Sequence, residues 1–164
     1  MRDARRNLRR TGFSLVEVMI TVSIIGLLAV LAVPAVRKSR RASQNTAFVN
    51  DLRVLSGHVI EFYATQRGDF PPDAAPGVLP DEFSDYLRKG FDWSEATPIG
   101  GRWDWDRAAD RGTKIYGCYA GLSVFLPNRT TPEMQEIDRM IDDGDLLTGT
   151  FRSKPKGYVF IIEP

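Results

Sequence analysis

Few side chains in this sequence are placed to do chemistry, and the most conspicuous is one carboxylate. Glu17 stands near the start of "RRTGFSLVEVMITVSIIGLLAVLAVPAV", residues 9–36, in a stretch otherwise uncharged from Phe13 onward. A charged group deep in a membrane helix costs roughly 2.5–3.5 kcal/mol on insertion scales, so an acid there needs a use. Its chemistry is electrostatic: a carboxylate taken out of water is stabilised by a cation brought to the same depth. The plain alternative is that Glu17 complements its own helix dipole, a gain of only about 0.3–1 kcal/mol.

A second group of acids, Asp138, Asp142, Asp143 and Asp145, lies in "DRMIDDGDLLTG". Acids in the last turn of a helix oppose its dipole, and calcium is bound by carboxylate and carbonyl oxygens. The spacing does not match an EF-hand loop, which leaves Asp142, Asp143 and Asp145 as a calcium candidate beside the plainer reading of a solvated acidic turn. No other cofactor is expected. Trp103 and Trp105, with Asp104 and Asp106, could form a sugar-binding or adhesive surface, although aromatics on a half-buried strand are more often core. His58 is the single histidine and has no serine or cysteine arranged beside it, so no catalytic triad can be read and no enzyme is expected. It reads as a helix-surface or partly buried residue. Cys118 is the single cysteine. It reads as a buried thiol, forms no intrachain disulfide, and with one histidine cannot build a usual structural zinc site.

The elements that must position these groups follow from the charge layout and hydrophobic periodicity. The 164 residues suffice for one domain plus an extra element, and the net charge of +1 hides an uneven distribution. Residues 1–12 and 37–41 are each strongly basic, whereas from residue 42 onward 13 Lys and Arg face 19 Asp and Glu. An acidic body excludes a general nucleic-acid binder, which needs a basic face. Val18–Val36 is uncharged throughout. As a helix, residues 13–36 would measure about 36 Å, enough to cross a hydrocarbon core with some tilt. A cleaved secretory signal would have a shorter apolar region and a better cut site than "AVPAV". Pro34 removes the bond to the Val30 carbonyl and Gly26 weakens the same stretch.

Beyond residue 37 the helical pattern continues. Phe48, Leu52, Leu55, Val59 and Phe62 form a narrow stripe, with Val49, Arg53, Ser56 and Gln66 expected to face elsewhere. Gly68 and Pro71–Pro72 are expected to end the helix. A short helix in "LPDEFSDYLRKG" would turn Phe83, Tyr86 and Leu87 inward. "GGRWDWDR" and "KIYGCYAGLSVFL" read as strands, the glycines of the second marking bends or bulges. Thr131 is expected to cap and Pro132 to open a helix with Met134, Ile137 and Ile141 inside, closed by Gly144. "LLTGTFRS" and "GYVFIIEP" pair as a hairpin across "KPK". The predicted fold is α+β: a long N-terminal helix packed on a roughly four-stranded antiparallel sheet.

The stretch "TGFSLVEVMITVSIIGLLAVLAVPAV" resembles the start of type IV pilins and type II secretion pseudopilins: a basic leader ending in glycine, then phenylalanine, then glutamate four positions on, inside an apolar helix. Thr11 is the local departure from that pattern. "RGDFPPD" is similar to the loop after this helix in pseudopilins. The resemblance implies that a prepilin peptidase cuts after Gly12 and N-methylates Phe13. It implies that Glu17 meets the N-terminal amine of a neighbouring subunit, and that Gly26 and Pro34 loosen the stem. Some major pseudopilins use a calcium in a C-terminal loop, which bears on Asp142, Asp143 and Asp145. The expected organisation is a leader at 1–12, a transmembrane stem at 13–36, its amphipathic continuation at 37–67 and a globular part at 68–164. The implied function is a filament subunit of a type IV pilus or type II secretion pseudopilus. The expected partners are prepilin peptidase, other pilin or pseudopilin subunits, an inner-membrane assembly platform and membrane lipid. The implied location is the bacterial inner membrane, single-pass, with the globular domain outside the cytoplasm. A membrane-anchored extracytoplasmic binding domain that never polymerises is the alternative.

Overall fold

A computed structural model describes residues 12–66, 68–80 and 83–164. The basic leader up to Thr11 lies outside the described residues, as do Arg67, Asp81 and Glu82. The first element, α1, is a 51-residue helix over Leu15–Thr65, and the chain divides into two compact units, one ending at Arg40 and one over Arg41–Pro164.

In the first unit the helix runs unbroken through Gly26 and Pro34. Its apolar side chains from Leu15 to Val36 are all exposed, and it is long and apolar enough to cross a membrane. The few polar side chains are satisfied locally. Thr21 Oγ1 donates to the Glu17 and Val18 carbonyls, and Ser23 Oγ to the Met19 carbonyl. Such back-bonding shields hydroxyls where water is absent.

The second unit is α+β. The predicted stripe is fully realised: Phe48, Leu52, Leu55, Val59 and Phe62 are all buried. Val49, expected to face elsewhere, is buried too. The apolar face of a globular-domain helix is wider than a single row of side chains, so a residue beside the seam is covered with it. After α1 the chain turns at Gly68, whose N–H donates to the Tyr63 carbonyl and whose φ of 82° suits glycine. The predicted helix near Phe83 is a single 3₁₀ turn, Ser84–Tyr86, with Phe83 buried and Tyr86 and Leu87 packed at the core edge.

Four strands form the sheet: β1 (Arg102–Arg107), β2 (Ala120–Phe125), β3 (Phe151–Lys154) and β4 (Gly157–Glu163), in the order β1-β2-β4-β3, all antiparallel. The register is irregular between Ala120 and Gly121, the bulge that the glycine-containing run suggested. Pleating alternates side chains between faces. Trp103, Trp105, Leu122, Val124 and Phe151 belong to the main core with the α1 stripe, and Phe48 stacks on Trp103 at a centroid distance of 5.4 Å. The helix α2, Thr131–Ile141, adds Met134 and Ile137 to this core. Its N-cap is Thr130, one residue before the expected Thr131: the Thr130 N–H and hydroxyl both donate to Glu133 Oε2. It ends at Ile141, three residues before Gly144.

Candidate functional site

Three groups of polar side chains stand out, and the first is the head of α1. Gly12 and Phe13 precede the helix, Phe13 being 83% exposed. Ser14 opens the helix: its Oγ accepts the Val16 N–H at 3.2 Å, while Glu17 Oε2 accepts the Ser14 N–H at 3.0 Å. This reciprocal arrangement satisfies two of the donors that a helix start leaves unpaired. The Ser14-x-x-Glu17 spacing before an apolar run is a readable capping signal that sequence reasoning passed over. In this chain Glu17 therefore caps its own helix, and its carboxylate stays exposed.

The second group gathers at the end of α2. Asp138, Asp142 and Asp143 each place a carboxylate oxygen within 4.8 Å of the others. Asp145 lies outside that trio; its Oδ1 accepts the Leu147 N–H. The three acids differ in kind. Asp142 accepts from the Thr150 N–H, Thr150 Oγ1 (2.7 Å), the Phe151 N–H (3.3 Å) and the Asp143 N–H. Despite some desolvation, these donors hold its carboxyl well below the usual carboxylate range. Asp143 accepts from the Asp145 N–H and Thr148 Oγ1, both at 2.8 Å. Asp138 is fully buried, and neither of its oxygens has a hydrogen-bond partner among the described residues. Burial, then the charges of Asp142 and Asp143, push its carboxyl up to about 6. A solvated turn describes Asp142 and Asp143 but not Asp138. A buried, unpartnered carboxylate beside two others is a donor set that suits a hard divalent cation.

The third group lies on the outer face of the sheet, on the strand whose tryptophans and acids suggest an adhesive surface. Trp103 and Trp105 are core residues, and Trp105 Nε1 donates to the Pro71 carbonyl. Asp104 and Asp106 are buried too, so this strand presents no aromatic-acidic surface. Both acids face Lys154, whose Nζ lies 2.7 Å from Asp104 Oδ2 and 2.5 Å from Asp106 Oδ2. Ser123 Oγ also donates to Asp106 Oδ2. The side chains are 3%, 6% and 10% exposed for Lys154, Asp104 and Asp106. Segment 115–118 helps cover them: the Tyr116 ring centre is 5.1 Å from Lys154 Nζ, and Cys118 packs with Val159 and Ile161. Burial raises the Asp104 carboxyl, whereas for Lys154 the bonds to both acids outweigh burial and raise the amine. Sequence reasoning missed this triad, since Lys154 lies 50 positions from Asp104 and on the opposite edge strand.

His58 and Cys118 fall where expected. His58 is partly buried on α1, 3.9 Å from Glu61, with Nε2 unpaired among the described residues. Cys118 is buried, its thiol pushed up to about 11 by burial and then by Asp106, which makes it a poor nucleophile.

Comparison with known proteins bears on the first of these groups. The sequence model of the prokaryotic N-terminal methylation motif matches residues 7–33. The chain is 40% identical over 68 residues to fimbrial protein EcpC of Eikenella corrodens, covering 41% of this chain and 44% of that one. It is 34% identical over 92 residues to type IV major pilin protein PilA of Myxococcus xanthus, covering 56% of this chain and 36% of that one. The chain thus spans less than half the length of the curated relatives it matches. No solved structure matches it. A methylation segment at the helix head, two pilus-protein relatives and a long apolar helix followed by a four-stranded antiparallel sheet agree in what they resemble: the chain is similar to type IV pilins over its N-terminal part and carries their N-terminal methylation motif.

Proposed function

We propose that this chain is a structural subunit of a type IV pilus or type II secretion pseudopilus, cut by prepilin peptidase between Gly12 and Phe13 and N-methylated at Phe13. The observation that carries the reading is the helix head: a lone carboxylate, Glu17, at the start of an apolar helix within the matched methylation segment. Cleavage creates an amine at Phe13, close to the depth of Glu17. In lipid, Glu17 of one subunit meets the Phe13 amine of its neighbour, so each incoming subunit neutralises a charge that is costly alone. The capping bond to Ser14 keeps that carboxylate at the helix start until the amine arrives. Gly26 and Pro34 let packed stems stretch. The leader remains cytoplasmic and the globular part is exported from the bacterial inner membrane, because a long C-terminal domain translocates largely regardless of its charge. The assembly platform and membrane lipid are the further partners, and the role is structural rather than catalytic.

The test is processing followed by assembly. N-terminal sequencing of protein extracted from native membranes should begin at methylated Phe13. Glu17→Val should insert, be cut after Gly12 and fail to enter filaments, with Glu17→Gln in between. Protein that starts at Met1, or Glu17→Val recovered in filaments at wild-type levels, refutes the reading and favours an anchored domain that does not polymerise.

Calcium is a second reading, favoured by the unpartnered oxygens of Asp138. Asp138, Asp142 and Asp143 would hold the ion, which would neutralise their charge and brace the loop between α2 and β3.

A further inference from the structure

We propose that Lys154 and Asp104 condense spontaneously into an isopeptide bond, with Asp106 as the acid–base group. Four features of the outer sheet face carry this inference. The amine and two carboxylates are already in contact, Nζ lying 2.7 Å from Asp104 Oδ2 and 2.5 Å from Asp106 Oδ2. All three side chains are at least nine-tenths buried, with Tyr116, Cys118, Val159 and Ile161 around or beside them. Three charges of net −1 are therefore held where water solvates them poorly, a costly arrangement that amide formation relieves by removing one of each sign. Finally, the carboxylate left behind has other support, since Ser123 Oγ donates to Asp106.

The step balances without a further reactant. Asp106 takes a proton from the Lys154 ammonium, and the freed lone pair forms a C–N bond to Cγ of Asp104. Asp106 returns that proton to an Asp104 oxygen, and the tetrahedral nitrogen supplies a second as the C–O bond breaks. An ammonium and a carboxylate become a secondary amide and one water, and Asp106 ends as it began. Burial keeps the ion pair in contact before the reaction and shields the product from hydrolysis. Proximity of this kind is what makes intramolecular acyl transfer fast. The bond would run from β1 to β3, the two edge strands, across β4 and β2 between them.

Mass spectrometry of the full chain, extracted in detergent and then denatured, is the test. Most molecules should be one water lighter than the mass expected for the chain with the N-terminus it carries, whether cut after Gly12 and methylated or intact, with protease digestion giving a branched peptide that joins Asp104 to Lys154. Asp104→Asn should form the same bond by expelling ammonia, and Lys154→Met should stay linear. Asp106→Asn should slow formation on the order of a hundredfold. Wild-type chain at full mass with separate linear peptides overturns the proposal and leaves the triad as an ion cluster. That result needs no variant, so a misfolded mutant cannot obscure it. Water loss mapped elsewhere, such as Asp143–Gly144, overturns it as well.

Discussion

Asp138→Asn should make the folded protein more stable at neutral pH and leave it unchanged in acid. The carboxyl of Asp138 is fully buried without a hydrogen-bond partner, and burial together with Asp142 and Asp143 raises it from 3.8 to about 6. Because the folded form holds this proton more tightly than the unfolded chain, the group's contribution is fully present below pH 3.8 and is lost as pH rises through 6. The shift corresponds to a loss of about 3 kcal/mol at pH 7 and above. A neutral amide cannot ionise, so the variant escapes that loss. The gap in melting temperature should be small at pH 4 and widen to roughly 10 °C at pH 7.5. The assay is thermal unfolding followed by circular dichroism from pH 4 to 8, on protein lacking residues 1–36 and with a chelator present so that no ion shares the site. Adding calcium should raise the wild type toward the variant and leave the variant unmoved. A variant that melts with or below the wild type at pH 7.5 in chelator, or a gap that does not change with pH, refutes the reasoning.

Removal of residues 1–36 should itself give a soluble monomer, because every buried residue of α1 lies at or beyond Asn45; size-exclusion chromatography checks this. In that fragment Cys118 should resist alkylation until unfolding, and reductant should leave the melt unchanged, since the thiol is buried and has no intrachain partner. Phe48→Ala should destabilise the fragment by about 3–5 kcal/mol in denaturant titration, having removed a fully buried ring stacked on Trp103.

Elements whose pattern is local were legible in the sequence. The α1 stripe, the inward tryptophans of β1 and the closing hairpin each follow from a periodicity of 3.6 or 2 within a few residues. The methylation segment was legible because its residues are consecutive. Groupings made by topology were not legible. Lys154 meets Asp104 and Asp106 only after two intervening strands have been ordered between their edges, and alternation within β1 names no partner for those acids. Asp138 looked like one acid among several, and its burial depends on how α2 packs rather than on its neighbours. The boundary errors are of another kind: Thr130 and Thr131 are equally good caps by type, and the glutamate three residues beyond Thr130 decides between them.

The position of Asp142 also bears on how the sheet tolerates change. Its Oδ2 holds Thr150 and the Phe151 N–H, immediately before β3 pairs Phe151 with Phe160 and Lys154 with Gly157. One atom outside the sheet thereby helps the β3–β4 ladder fix where the strand begins. A residue gained or lost between Leu147 and Gly149 disturbs the local bond from Thr148 to Asp143 but leaves the facing of β3 unchanged, because the latch still delivers Thr150 to the same place. The same change between Thr150 and Lys154 reverses the facing of every later side chain of β3, turning Lys154 toward the aromatic core and away from its acids. The permissive and forbidden sites for length variation lie a few residues apart, divided by a single carboxylate.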